Sequence, residues 1–170
     1  GAAITRNTNF KLIMMRRSVL IMLFVGFVVF FGCSKPVEIV VSDNQSPVEK
    51  TAAEQLQKYL SELYPGDDFS IVSEIPSDNR KMILIGNIET LAEYRELLPG
   101  GLPEEPESFS VTATQDSDRE VGIIAGYDDA GTLYAVYSLL EKLGCGFYLS
   151  YETLPEERTS FSFQEWNLSD

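Results

Sequence analysis

Fourteen consecutive apolar or small residues, Val19 to Gly32, stand between Arg16-Arg17 and Cys33, and they limit what the rest of the chain can become. A basic pair ahead of an apolar run of this length suits the core of a secretory leader. It falls short of the ~20 residues that a membrane-spanning helix needs. The fold must therefore come from Ser34 to Asp170, 137 residues carrying 9 basic and 26 acidic side chains, a net charge of −17. A segment of that size buries roughly two-thirds of its unfolded surface, enough for one core. Its charge opposes a phosphate backbone, so nucleic acid is not an expected partner. The chain holds no histidine, which excludes Ser-His-Asp and Cys-His catalysis within it and every His-ligated metal site. Carboxylates, tyrosines and thiols remain for chemistry.

Gly32-Cys33 is similar to the lipobox of bacterial lipoproteins, in which the cysteine becomes the lipidated first residue. Phe31 stands where that pattern prefers a small side chain, and an uncleaved anchor helix is the other reading. The expected organisation is an upstream or non-native extension over 1–13, ahead of a start at Met14 or Met15, and a lipoprotein signal peptide over 14–33. A folded domain over 37–155 and a tail over 156–170 follow. With Cys33 lipidated, Cys145 cannot pair within the chain. Its apolar, glycine-rich neighbours predict a buried structural thiol.

Val37 to Ser42 is β-branched and reads as a strand. In Ser46-Pro47-Val48-Glu49, serine can cap, proline suits the first helical position, and glutamate three residues on completes a capping box. The helix that follows places Val48, Ala52, Leu56, Tyr59, Leu60 and Leu63 on one face, and Pro65-Gly66 ends it. Phe69–Ser73, Met82–Ile85, Phe109–Ala113, Val121–Ala125 and Phe147–Leu149 read as strands, and Ile88–Leu98 as a short helix. A turn at Asp116–Asp118 predicts a hairpin, which argues against an all-parallel sheet. Asp128 is the expected cap of a second helix whose stripe reads Leu133, Val136, Tyr137, Leu140 and Leu143. The fold class is α+β, an α/β sandwich with helices on a mixed sheet of four to six strands.

Gly126 to Thr132 offers a glycine loop between strand and helix but lacks the P-loop lysine, and Asp128-Asp129 would repel phosphate. Asp67-Asp68, Asp128-Asp129, Glu104-Glu105 and Glu156-Glu157 are sequence neighbours on turns, where solvated acids are the rule. A glycosidase needs two acids facing each other across ~5 to ~10 Å. Asp43, Asp67 and Asp116 could offer Ca²⁺-type oxygens, but no loop has EF-hand spacing. No catalytic, metal or cofactor residue is assigned. Tyr134, Tyr137 and Trp166 are candidate sugar contacts, with core packing the expected role of the two tyrosines.

The segments EIVVSDNQSPVEKTAAEQLQKYLSEL, MILIGN, ESFSVTAT and GIIAGYDDAGTLYAVYSLLEKLGCGFYL resemble, in that order, the N-terminal domain of family-67 α-glucuronidases. A related domain precedes the barrel of family-20 β-N-acetylhexosaminidases. The resemblance spans about Val37 to Pro155, and its most specific element is G-x-D-x-x-G-x-x-Y-A-x-Y-x-L-L-E-x-L-G-C, Gly126 to Cys145. It implies a zincin-like, hexosaminidase domain-2-like layer ahead of a (β/α)₈ barrel that holds the catalytic carboxylates. The expected role is that of a non-catalytic accessory domain of an exported, lipid-anchored glycoside hydrolase. Its partners would be the barrel, polysaccharide and, through lipid, a membrane. A stand-alone surface glycan-binding or protein-interaction lipoprotein is the alternative.

Overall fold

The computed structural model describes residues 36–98 and 100–170. The leader and the lipidation candidate Cys33 lie outside the described residues. Among the described residues, eight strands, two α-helices and a 3₁₀ segment follow one another. They are β1 (Val37–Val41), α1 (Pro47–Leu63), β2 (Phe69–Val72), β3 (Met82–Asn87), β4 (Phe109–Asp116), β5 (Arg119–Gly126), α2 (Asp129–Lys142), β6 (Gly146–Phe147), β7 (Glu152–Thr153) and β8 (Asn167–Ser169), with the 3₁₀ segment between β3 and β4. The main sheet runs β2-β1-β3-β5-β4-β8. Its first four strands are parallel, while β4 is antiparallel to both β5 and β8. This is the mixed sheet with packed helices that the sequence predicts. No helix among the described residues is long and apolar enough to cross a membrane.

Parallel strands covered on both faces read as unbroken apolar runs, and register shows how the two faces divide. Ile39 lies beside Ile83, and Ile85 beside Ile124. These side chains join Leu56, Leu60, Val136, Leu139 and Leu140 in the core under α1 and α2. Val40, Leu84 and Ile123 alternate to the other face, beneath Leu91, Leu98 and Leu102. Helices therefore cover one side, and the 3₁₀ segment Ala92–Leu97 with its flanking loop covers the other.

Ile88–Leu98 does not form the expected short α-helix. Leu91, at its N-cap, supplies no side-chain hydrogen bond, and Tyr94 leaves helical geometry with φ −101° and ψ 15°. Pro99 follows Leu98, and a residue before proline is pushed out of the α region; Leu98 sits at φ −101°, ψ 87°.

Val136, Leu140 and Leu143 of the expected α2 stripe are buried, but the stripe is broader on one side than expected. Gly131, Thr132, Ala135, Val136, Leu139 and Leu140 are buried within the helix, whereas Leu133 and Tyr137 are half-buried at its margin. Small residues let the helix approach the sheet closely, and a stripe counted from large side chains misses them. In α1, Val48 is likewise only half-buried and Glu49 is unexpectedly inside.

Residues 156–170 belong to the same compact unit. Phe161, Phe163 and Trp166 are core residues, and β8 supplies the outermost strand beside β4. Phe147–Leu149 does not join the main sheet. Only Gly146–Phe147 is strand, paired with β7 in a separate two-stranded hairpin.

Candidate functional site

In open parallel sheets, ligand sites form beyond the C-terminal strand ends, where the strand order reverses. Here β1 is that point, with β2 on one side and β3 on the other. The polar groups gathered there are committed to one another. Ser46 Oγ accepts from the Glu49 N–H at 3.1 Å, and the Ser46 N–H donates to Glu49 Oε2 at 2.7 Å. The capping box is therefore formed. Glu49 Oε1 accepts from the Asn87 N–H at 2.8 Å and from Thr90 Oγ1 at 2.5 Å. Asn87 Nδ2 donates to Asp129 Oδ1 at 3.1 Å. A carboxylate only 1% exposed thus ties the start of α1 to the end of β3, and Asn87 extends the tie to α2. Both Glu49 oxygens are engaged, as a buried carboxylate requires. This network is a brace.

The same holds along Gly126–Cys145. Asp128 caps α2, its Oδ1 accepting from the Gly131 N–H at 2.8 Å and its Oδ2 from the Glu107 N–H at 3.1 Å. The Gly131 N–H bond, above all, holds this carboxyl below the usual carboxylate range. A Cβ on Gly126 would stand 2.5 Å from Thr132 Oγ1 and 2.6 Å from the Gly131 carbonyl carbon. One on Gly131 would strike the Ser108 carbonyl oxygen. Gly144 ends the helix at φ 101°, a conformation that favours glycine. Cys145 is buried and free, and burial pushes its thiol pKa up, as expected of an inert structural cysteine.

The adjacent acids do not converge. Asp67 Oδ2 accepts from the Phe161 N–H at 2.7 Å, and Asp116 pairs with Arg119 at 2.6 Å. Glu104, Glu105, Glu156, Glu157 and Asp43 are exposed. No group of three or more His, Cys, Asp or Glu among the described residues could hold a metal ion. A shallow depression of about 330 Å³ beside β4 and β8 is lined by Glu104, Glu105, Ser108, Ser169 and Asp170, with no basic side chain.

The three aromatic candidates occupy different settings. Trp166 is 3% exposed and meets Phe163 edge-on at 4.9 Å, so it is a core residue rather than part of a surface. Tyr137 is half-buried and meets Phe147 edge-on at 4.8 Å. Tyr134 is 48% exposed, one helical turn before Tyr137. Phe147 also meets Tyr59 of α1 at 5.2 Å, which pins the β6–β7 hairpin across both helices. At the hairpin tip the rings of Tyr148 and Tyr151 stack at 4.7 Å and 21°. The sequence places Tyr148 within an expected strand and Tyr151 in none, whereas both sit at the tip between two strands of two residues each. The usable signal is local, two tyrosines flanking Leu149-Ser150.

No protein-family model matches the chain, and no curated protein matches it. A similar solved structure is a family GH115 4-O-methyl-α-glucuronidase, BtGH115A, described as specific for decorated arabinogalactans. The identity is 24% and the TM-score 0.49, over 64% of this chain and 13% of that one.

Proposed function

We propose that this chain is a non-catalytic accessory domain of an exported, lipid-anchored glycoside hydrolase of the α-glucuronidase-like kind. One observation carries the reading. The segment Gly126–Cys145, on which the resemblance to the family-67 N-terminal domain rests, is spent on capping, close packing and burial. Asp128 caps, Gly126 and Gly131 admit neighbouring backbone, Ala135 and Leu139 pack, and Cys145 is buried. Its Asp128, Asp129, Thr132 and Lys142 side chains hold the fold together, and the chemistry belongs to another domain, the (β/α)₈ barrel. Polysaccharide is the substrate of that barrel. Cys33 bears the lipid that tethers the protein to a membrane of the bacterial envelope.

The exposed tyrosine pair favours a second reading, a stand-alone glycan-binding lipoprotein. Peptide mapping of the native product from its own cells separates the two. The expected result is a lipid-modified N-terminal peptide beginning at Cys33, together with peptides continuing beyond Asp170 into barrel sequence. A native product ending at Asp170 would contradict the accessory role, and an unmodified Cys33 would contradict the anchor.

A further inference from the structure

We propose that the stacked pair Tyr148–Tyr151 at the tip of the β6–β7 hairpin is a docking platform for a neutral pyranose ring. The two rings are 4.7 Å apart and 21° from parallel, so each spends one face on the other, and the Tyr148 ring also rests at Gly146, where an added Cβ would stand 2.8 Å from its Cε2. Their exposures are 57% and 60%. A flat aromatic face with a hydroxyl at its rim matches a sugar, which presents a face of axial C–H bonds bordered by hydroxyls.

The platform is built before any ligand arrives. Phe147 stands edge-on to both Tyr59 and Tyr137, and the Tyr148 N–H donates to the Tyr151 carbonyl at 3.0 Å. Glu152, beside Tyr151, reaches Lys58 of α1 at 3.4 Å. Held this way, the rings lose little freedom on binding, which is where a weak ligand gains most.

Charge selects the occupant. Tyr148, Leu149, Tyr151 and Leu154 are exposed apolar side chains of this stretch. A second copy of the chain brings the same acidic excess and is repelled by it. The 9 basic and 26 acidic groups of residues 34–170 repel an anionic lipid surface or a polyuronate, whereas a neutral polyol meets no such barrier. The choice of a sugar rests on the glycan-related role that both readings proposed above share.

The test is affinity electrophoresis of the full chain in a non-glycosidic detergent, through gels containing neutral arabinoxylan or neutral β-glucan. Retardation is expected, with Tyr148→Ala and Tyr151→Ala each weakening it about tenfold. Tyr148→Phe should retain most of the binding, and Tyr134→Ala all of it. Because these side chains are exposed, thermal unfolding of the variants should match that of the parent chain. Wild-type mobility unchanged in both polysaccharides would overturn the platform and leave the accessory role to peptide mapping. Retardation that survives both alanine variants would move the sugar elsewhere on the chain and overturn it too. Binding to phosphatidylcholine vesicles that Leu149→Ala abolishes, without polysaccharide binding, would make the tip a membrane contact. Self-association lost in Tyr148→Ala would make it a dimer contact, and either result overturns the proposal.

Discussion

Trp166→Ala is expected to destabilise the folded unit by about 3–5 kcal/mol, measured by chemical denaturation. Trp166 meets Phe163 edge-on at 4.9 Å and Phe161 at 6.1 Å, and its ring lies over β5 at Gly122. A Cβ on Gly122 would stand 2.4 Å from Phe163 Cε1 and 2.6 Å from Trp166 Cζ3, so the glycine admits both rings. Removing the indole opens a cavity next to a residue with no side chain to refill it. The neighbouring Phe161 also stacks edge-on with Tyr64 and Phe69, so the loss reaches the β2 end of the core. Trp166→Phe should cost less than about 1.5 kcal/mol. It keeps ring packing and removes a buried indole N–H that finds no partner among the described residues. A near-wild-type midpoint for Trp166→Ala would mean that residues 156–170 do not complete the core.

Gly126→Ala should be comparably severe, at about 3 kcal/mol or more, for a different reason. The obstacles to its methyl group are Thr132 and Gly131, both in the first turn of α2. The helix start cannot retreat without breaking the bonds from the Gly131 and Glu107 N–H groups to Asp128. Gly100, where an added methyl group would meet nothing within 4 Å, is the matched control. Gly100→Ala should change stability by less than about 0.5 kcal/mol. Equal midpoints for the two alanine variants would show that Gly126 admits no close backbone contact.

The parts legible in the sequence are those governed by local chemistry. Ser46-Pro47-Val48-Glu49 states a capping box within four residues, and Asp128 states a cap within one turn. The turn at Asp116–Asp118 gives the β4–β5 hairpin, and with it a mixed sheet. What escapes depends on partners far along the chain. Glu49 reads as a capping residue, yet its second oxygen serves Asn87 and Thr90, 38 and 41 residues away. The α2 stripe is legible in Val136, Leu140 and Leu143 but not in Gly131, Thr132 and Ala135, which are buried too and carry little hydrophobic signal. Ile88–Leu98 has helical spacing, and Asn87 Oδ1 accepts from the Glu89 and Thr90 N–H groups as a cap would, but Tyr94 leaves helical geometry and the proline after Leu98 disfavours a final helical turn. Trp166 reads as a candidate sugar contact in a mixed tail; only the gap at Gly122, 44 positions earlier, reveals where it goes.

We propose that this chain serves a glycan-processing protein without performing its chemistry. Hydrolysis by the purified chain tests that claim most directly, with aryl glycosides and glucuronic-acid-decorated xylan as substrates. No turnover above that of a blank is expected. Turnover that survives further purification and vanishes when a single aspartate or glutamate is replaced would contradict the claim.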